Sequence, residues 1–337
     1  MSASLIALNP QEEIPELYSA EMKDKISEWA KSDSQEQIPP HIWSISARSY
    51  RDFYKNNKKH SIVVSGERGA GKSHSINNAM SFIMQLMQKE NTSDGLPTNM
   101  ILLDNLIAVV ETFGNAVTMK NDDSSRFAKY FELVVDQNTN VLQGTTMSIF
   151  LLEKSHITSI EKGERNFHIF YSICKSLDPE VLTKYKLDTE GNGSCDMTKF
   201  RYLNQSGKYD SNQIDDHKNY IRVNDAFEVC GFNLEEKEIV LKCISAVLNI
   251  GNIEIDKSVF VHGVKPCRIQ QNEWYKNFMD LLQIDSKTFE KVLVSKEVTS
   301  GVVMVNNPDK IQEYLDTLAQ KIYMHLFNWI VKKISMH

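Results

Sequence analysis

Hydrophobic residues recur at helical spacing in several stretches of this chain. After residue 75, the apolar positions Ile76, Ala79, Met80, Ile83 and Met87 fall on one face of a helix. Similar stripes predict helices across residues 102–113, 240–248 and 315–330. Together with the strand-like runs described next, they predict an α/β fold: a central mixed sheet flanked by helices, with a largely helical second lobe from about residue 140 onward.

Short β-branched and aromatic runs predict the strands. They lie at residues 131–135, 148–152 and 302–305. Ile62, Val63 and Val64 form another such run, which is typical of a buried parallel strand. Asn233 followed by Glu236 predicts a capping box at the start of the helix that carries the 240–248 stripe.

A glycine-rich loop lies between the Ile62–Val64 run and the first helix. Residues 66–73 read GERGAGKS and match the pattern G-x-x-x-x-G-K-[ST], which cradles polyphosphates with backbone N–H groups. In that pattern Lys72 reaches the β- and γ-phosphates, and the Ser73 hydroxyl binds Mg²⁺. The order of strand, loop and helix supports a phosphate site. Its predicted contacts are Gly66, Glu67, Arg68, Gly69, Ala70, Gly71, Lys72 and Ser73.

A second polar loop, residues 121–129, reads NDDSSRFAK. Its asparagine and serines can donate to phosphate oxygens, a serine can complete a magnesium shell, and an arginine can hold such a loop closed. These residue types are typical of a loop that senses a bound nucleotide.

These two loops and the sequence around them resemble the myosin motor head over nearly the whole chain. The resemblance implies a partial motor head with a P-loop NTPase mixed sheet, truncated before the segment called switch II. It implies a nucleotide-binding part at residues 1–140, and transducer strands with an upper, mostly helical subdomain at 141–337. The segments that carry the resemblance are, in order, NPQEEIPELY from Asn9, PPHIWSIS from Pro39, ETFGNAVTMKNDDSSRFAKYFEL from Glu111, LLEKSHI from Leu151, ERNFHIFY from Glu164, YLNQSG from Tyr202, AVLNIGNIEI from Ala246 and LAQKIYMHLFNWIVKKI from Leu318.

The resemblance also implies cofactors, partners and residue roles. ATP and Mg²⁺ are the implied cofactors, and actin filaments are the implied partner, through a hairpin from Val294 to Asn306 that turns at Thr299-Ser300-Gly301. The second loop corresponds to switch I, where Arg126 forms an ion pair with a switch II glutamate in the family. The implied roles are adenine contacts for Asn9, Pro10 and Tyr18, phosphate contacts for Asn121, Ser124 and Ser125, magnesium ligands Ser73 and Ser125, and catalytic functions for Lys72, Ser124 and Arg126.

This sequence departs from the family pattern inside both loops. Arg68 stands where family phosphate loops carry a serine, and its guanidinium brings charge and bulk close to the phosphates. Asp122 and Asp123 stand where asparagine is usual, and carboxylates beside a polyphosphate cost electrostatic energy unless they face solvent. Ala128 replaces a usual glycine.

The D-I-x-G-F-E motif of switch II does not follow the segment that ends at Ile334. We therefore expect Arg126 to lack its family partner, and we expect nucleotide binding with little turnover. The last apolar stripe runs almost to His337 without a helix-ending glycine, which suggests a chain cut short. Light chains are expected only if a downstream lever exists.

Three alternative interpretations remain open on the sequence. Asp104, after the apolar run MILL, is a Walker-B candidate in a generic P-loop kinase or ATPase, although the helical spacing of this stretch favours a helix. A degenerate, non-hydrolysing module gated by nucleotide is the second alternative. A fragment of an ordinary motor is the third.

Composition limits the class of protein. The net charge of −6 argues against a nucleic-acid-binding surface, and no apolar run is long enough to predict a membrane span. Five cysteines without a C-x-x-C pair suit a reducing compartment, so we expect a cytoplasmic, cytoskeletal protein. His168 lies beside an apolar run and is interpreted as a packed or surface residue rather than a ligand.

Overall fold

Helices account for most of the ordered backbone. The computed structural model describes residues 4–12, 14–56, 58–87, 98–136, 142–261, 266–299 and 302–335. Its helices are α1 (Ala20–Lys31), α2 (Ile42–Asn56), α3 (Lys72–Leu86), α4 (Thr98–Gly114), α5 (Ser155–Thr158), α6 (His168–Ser176), α7 (Pro179–Lys184), α8 (Arg201–Asn204), α9 (Asp216–Val229), α10 (Leu234–Ile250), α11 (Glu273–Leu282), α12 (Ser286–Val294) and α13 (Pro308–Ile334). Short 3₁₀ turns lie at Pro15–Tyr18 and Met197–Lys199.

The strands form small sheets between chain neighbours. Within the described residues there are four two-stranded sheets, which pair β1 with β2, β3 with β4, β5 with β6 and β7 with β8. The strands are β1 (Asn115–Ala116), β2 (Ser124–Ser125), β3 (Ala128–Val135), β4 (Leu142–Phe150), β5 (Ile255–Asp256), β6 (Arg268–Ile269), β7 (Ser295–Thr299) and β8 (Val302–Val305). The predicted strands at 131–135 and 302–305 are confirmed, and β4 covers the 148–152 prediction as far as Phe150.

The predicted central mixed sheet does not form within the described part of the chain. Ile62, Val63 and Val64 have no strand partner there, and Val63 is 86% exposed. A parallel strand needs a neighbour that comes from a distant part of the chain, because the two are joined by a long crossover connection. The apolar run alone therefore does not produce a buried strand.

The chain divides into two compact units. The first contains residues 1–104 and 131–146, and the second contains residues 105–130 and 147–337. In the first unit α1 packs on α2 and α2 packs on α3. Their shared core consists of the buried residues Ile26, Ala30, Trp43, Ala47, Phe82 and Leu86.

In the second unit, α10 packs on α11 and α13, and α6 packs on α9. An aromatic cluster lies at the end of α4, where the rings of Phe113 and Phe327 stack with centroids 6.2 Å apart. The buried Tyr323 hydroxyl donates to the Phe113 carbonyl at 2.6 Å. This bond joins the last helix to the segment that leads into β1.

The helical predictions are confirmed. The Asn233–Glu236 capping box is formed in full, with each side chain bonded to the other residue's backbone N–H. Residues 100–114 lie within α4, on which Leu106, Val110 and Phe113 are buried. Among the described residues, every helix is too short or too polar to cross a bilayer.

Candidate nucleotide-binding site

The phosphate loop, residues 66–73, has the backbone shape its sequence predicts. Gly69 and Gly71 have φ angles of 79° and 84°, which residues with a Cβ rarely adopt. Gly71 is the N-cap of α3, and no described side chain caps that helix end. The first amides of α3 are therefore oriented for an anion, and a 15-residue helix adds its dipole.

Lys72 folds over this loop. Its Nζ donates to the carbonyl oxygens of Gly66 at 2.8 Å and Glu67 at 2.6 Å. The ammonium group is thus held beside the loop where phosphate oxygens are expected. Glu67 and Arg68 are exposed on the same loop, and Ala70 and Ser73 are partly buried.

The structure brings two residues of the expected adenine segment to this loop. Asn9 donates from Nδ2 to the Gly69 carbonyl at 2.7 Å, while Pro10 is exposed beside it. The Tyr18 ring contacts His74 of α3 edge-on, with centroids 5.0 Å apart. Burial raises the pKa of Tyr18, so its hydroxyl stays protonated at neutral pH. Asn9 and Tyr18 therefore contact the loop and the first turn of its helix.

Residues 117–125, which we call the sensor loop, contain the first half of the second polar loop, 121–129. They lie in the second unit, and the loop closes on itself through the bonds described next. Asn121 Oδ1 accepts the backbone N–H of Asp123 at 3.0 Å, and its Nδ2 donates to the Asp123 carbonyl at 3.3 Å. Thr118 donates its N–H to the Asn121 carbonyl at 2.9 Å. Ser124 and Ser125 form β2, and Ser124 is buried opposite Ala116. The Asn121 amide thus organises the loop in this conformation.

The two carboxylates of the sensor loop have partners within the protein. Asp122 accepts from the Ser211 hydroxyl at 2.6 Å, and Lys208 Nζ lies 3.9 Å from it. Asp123 Oδ1 lies 2.7 Å from Asn115 Nδ2 and 3.2 Å from His168 Nε2. Desolvation alone would raise the pKa of Asp123, but the bond from His168 and the other contacts outweigh it and lower that pKa. Protein donors as well as solvent therefore stabilise the negative charges of Asp122 and Asp123.

Arg126 has an acidic partner within this chain, a different one from the switch II glutamate of the family pattern. Its Nη2 lies 2.8 Å from Glu153 Oε2, and the Arg126 side chain is buried. The Arg126 carbonyl also accepts the N–H of Glu153 at 2.9 Å. Within the described part of the chain, Nε and Nη1 of Arg126 have no hydrogen-bond partner. A buried guanidinium with two unused donor groups has capacity for a second acceptor.

Two carboxylates outside the loops do not match nucleotide-site roles. Asp104 is exposed on α4, so the Walker-B interpretation, which needs a strand, is wrong. Asp188 accepts the N–H groups of Gly191 at 2.8 Å and Gly193 at 2.9 Å, and it closes its own surface turn. No group of three or more His, Cys, Asp or Glu side chains in the described ranges is arranged to hold a metal ion.

The predicted actin-facing hairpin is formed by β7 and β8, which pair in antiparallel register. At its base the Asn306 N–H donates to the Val294 carbonyl at 2.9 Å. Of the expected turn residues, Ser300 and Gly301 lie outside the described residues.

Sequence reasoning did not identify the residues that hold the sensor loop. Asn115, His168 and Ser211 bind its carboxylates, and Glu153 binds Arg126. His168 is a packed residue, as interpreted, yet it also bonds Asp123. One available signal was the adjacent pair of aspartates, because two carboxylates in a phosphate-binding loop require compensating donors.

Known proteins resemble this chain along its full length. The model of a family described as myosin head (motor domain) matches residues 1–337. Myosin-5 of Arabidopsis thaliana is 34% identical over 334 residues, which cover 98% of this chain and 21% of that protein. Unconventional myosin-Ib of Homo sapiens is 33% identical over 337 residues, which cover 98% of this chain and 28% of that protein. The chain therefore spans less than a third of the length of these relatives.

Proposed function

Because the chain belongs to the myosin head (motor domain) family, we propose that it is the ATP-binding portion of an actin-based motor. In this proposal the phosphate loop holds the α- and β-phosphates of Mg²⁺-ATP, and the sensor loop contacts the γ-phosphate and the metal. The supporting observation is the phosphate loop itself: Gly69 and Gly71 with positive φ, an uncapped α3 and Lys72 folded beside it.

Individual residues have defined roles in this proposal. Lys72 supplies positive charge to the β- and γ-phosphates, and Ser73 and Ser125 provide hydroxyl ligands for Mg²⁺. Asn9, Pro10 and Tyr18 surround the adenine. Asn121 and Ser124 donate to phosphate oxygens from the sensor loop. Hydroxyl and backbone donors of this kind suit a magnesium polyphosphate, which keeps several waters of its own.

The direct test is binding of a fluorescent ATP analogue, methylanthraniloyl-ATP, in the presence of MgCl₂. The proposal requires saturable binding that falls when Lys72 is replaced by alanine and that competes with unlabelled ATP. Equal signals from the parental chain and the Lys72→Ala variant would contradict it. Cosedimentation with filamentous actin, with and without nucleotide, tests the motor part, for which the β7–β8 hairpin is the proposed contact.

A second candidate function is nucleotide-gated binding without hydrolysis. The Arg126–Glu153 ion pair at 2.8 Å favours it, because it commits Nη2 of this arginine to a carboxylate inside the unit. Phosphoryl transfer to water needs charge stabilisation from both sides of the γ-phosphate. Measured phosphate release separates the two candidates: steady release supports the hydrolytic motor, and binding without release supports the gated module.

A further inference from the structure

We infer that Asp123 and the buried His168 form an anchor that positions the sensor loop. The inference rests on the proposed function in one respect, since it assigns that loop to the nucleotide. In this anchor Asp123 is a positioning residue that acts through its protein partners rather than through contact with phosphate. His168 is the donor that fixes it from α6.

The geometry places one carboxylate oxygen at the centre of the anchor. Asp123 Oδ1 accepts hydrogen bonds from Asn115 Nδ2 at 2.7 Å and from His168 Nε2 at 3.2 Å. Asn115 and His168 are each 2% exposed, whereas the Asp123 side chain is 49% exposed. The carboxylate therefore lies at the surface end of a polar path that leads into the packed interior of the second unit.

Both interior partners depend on this carboxylate. In the described residues, Nδ1 of His168 and Oδ1 of Asn115 have no hydrogen-bond partner. The single side-chain bond that the structure gives each of them is the one to Asp123. Removing the acceptor would leave two buried donors unsatisfied, which costs more than the bonds themselves contribute.

The anchor is connected to the rest of the loop by short-range bonds. Asp123 is bonded to Asn121 through both atoms of the Asn121 amide, and Asn121 is bonded to Thr118. On the other side, Ser124 and Ser125 pair directly with β1. A shift of Asp123 would therefore move the residues proposed to face the phosphates and the metal.

Asp122 supplies a second, weaker attachment. The Ser211 hydroxyl donates to it at 2.6 Å, and the Lys208 ammonium lies at the edge of ion-pair distance, 3.9 Å. The two adjacent aspartates thus attach one loop to α6 and to the 205–215 segment. Negative charge in a phosphate-facing loop has a structural use here, because both carboxylates turn toward protein donors.

The test measures loop opening directly, without nucleotide, by hydrogen exchange of the Thr118 and Asn121 amides in the 337-residue chain. Asp123→Ala and His168→Met each remove one side of the anchor and should speed exchange about tenfold, the effect of losing a charge-assisted bond. Their combination should add little, since both variants break the same contact. Exchange at the parental rate in either single variant, or fully additive effects in the double variant, would overturn the anchor.

Conservative variants separate positioning from general destabilisation. Asp123→Asn keeps an acceptor oxygen, and His168→Gln keeps a nitrogen donor at similar reach, so each should restore exchange to within about threefold of the parental rate. Asp280→Ala, which removes the exposed α11 partner of Lys186, is the matched control and should change nothing in this loop. Failure of both conservative variants to restore protection would contradict the assignment, even if the alanine variant unfolds.

A binding measurement distinguishes this inference from the proposed function. With methylanthraniloyl-ATP and MgCl₂, Asp123→Ala should weaken binding about tenfold and Asp123→Asn much less. If the Lys72→Ala variant binds the nucleotide as tightly as the parental chain, the proposed function is refuted. The hydrogen-exchange result then still shows whether Asp123 and His168 hold the loop. Lys72-dependent binding that is unchanged in Asp123→Ala refutes the positioning role alone.

Discussion

The phosphate loop and the sensor loop are held in different ways. The phosphate loop is stabilised mainly within itself: Lys72 bonds two carbonyls of its own loop and glycine conformations set its path, with one bond added by the distant, exposed Asn9. The sensor loop is stabilised by buried side chains of the second unit, Asn115 just before the loop and His168 at a distance of 45 residues from Asp123. One loop depends on local backbone chemistry and the other on the packing of the whole unit.

This difference separates binding from stability. Side chains on the phosphate loop are accessible, so changing them should alter nucleotide affinity and leave the fold intact. Residues that support the sensor loop are buried, so changing them should lower the free energy of unfolding as well. Three experiments test this contrast, in order of decreasing effect, and a fourth tests a surface turn outside both loops.

Replacing Asp216 with alanine should have the largest effect. Its carboxylate lies 2.6 Å from Arg165 and 2.7 Å from Lys175, and the Arg165 N–H bonds Val117 at the start of the sensor loop. An unpaired buried guanidinium costs about 3–5 kcal/mol of unfolding free energy. Urea denaturation followed by circular dichroism measures this loss.

Asp210 provides the matched control for that variant. It pairs with the same Lys175 at 2.7 Å but is 88% exposed, so Asp210→Ala should cost less than about 1 kcal/mol. Equal losses for the two variants would show that burial does not set the stability of this region.

Replacing Lys72 with alanine should weaken nucleotide binding strongly and barely affect stability. Loss of charge-assisted bonds to phosphate costs about 1.5–3 kcal/mol, or roughly 10- to 100-fold in Kd. Titration with a fluorescent ATP analogue gives the affinity, and thermal denaturation gives the stability. Lys55→Ala on α2 is the control, since that lysine lies in a surface ion pair with Asp33. A large fall in melting temperature for Lys72→Ala would contradict the contrast between the loops.

Replacing Asn9 with alanine should have a smaller effect in the same direction. It removes the 2.7 Å bond to the Gly69 carbonyl and the 2.9 Å bond that Asn9 Oδ1 accepts from the Gln11 N–H, exposed contacts worth about 0.5–1.5 kcal/mol each. We expect a few-fold weaker affinity by isothermal titration and an unchanged melting temperature. Glu12→Ala, at an exposed neighbouring position, should leave both values as they are. An unchanged Kd for Asn9→Ala would remove this residue from the site.

The smallest effect concerns the Asp188 turn and its pH dependence. The N–H groups of Gly193, Glu190 and Gly191 lower the pKa of this carboxyl below its usual value of 3.8. A lowered folded-state pKa means that the contribution is complete above the usual pKa and is lost as the pH falls through the lower one. The Gly191 and Gly193 amides should therefore lose protection against hydrogen exchange as the pH falls below that usual value. Asp188→Asn should remove this pH dependence. A simultaneous global transition would show that the turn is not local.

Local signals explain what the sequence predicts well. The phosphate loop depends on glycines and a lysine within eight residues, and α10 depends on a capping box that spans four. The α4 stripe likewise identifies a helix where an apolar run ending in Asp104 could suggest a strand. In each case the deciding contacts lie within a few turns of the chain.

The central sheet and the loop anchors depend on long-range contacts. The Ile62–Val64 run has strand composition, but a ladder requires partners that no local pattern specifies, and Val63 remains exposed. His168 lies 45 residues from Asp123, and nothing in either local sequence indicates that they meet. Glu153 as the partner of Arg126 is a further pairing that depends on the fold.

The Tyr323–Phe113 hydrogen bond has a consequence for synthesis of the protein. It joins residues 210 positions apart, and both are buried in one aromatic cluster. Contacts between such distant residues form late, because a long loop must first close. During translation, the segment that leads into β1 can therefore form this contact only after α13 has emerged from the ribosome.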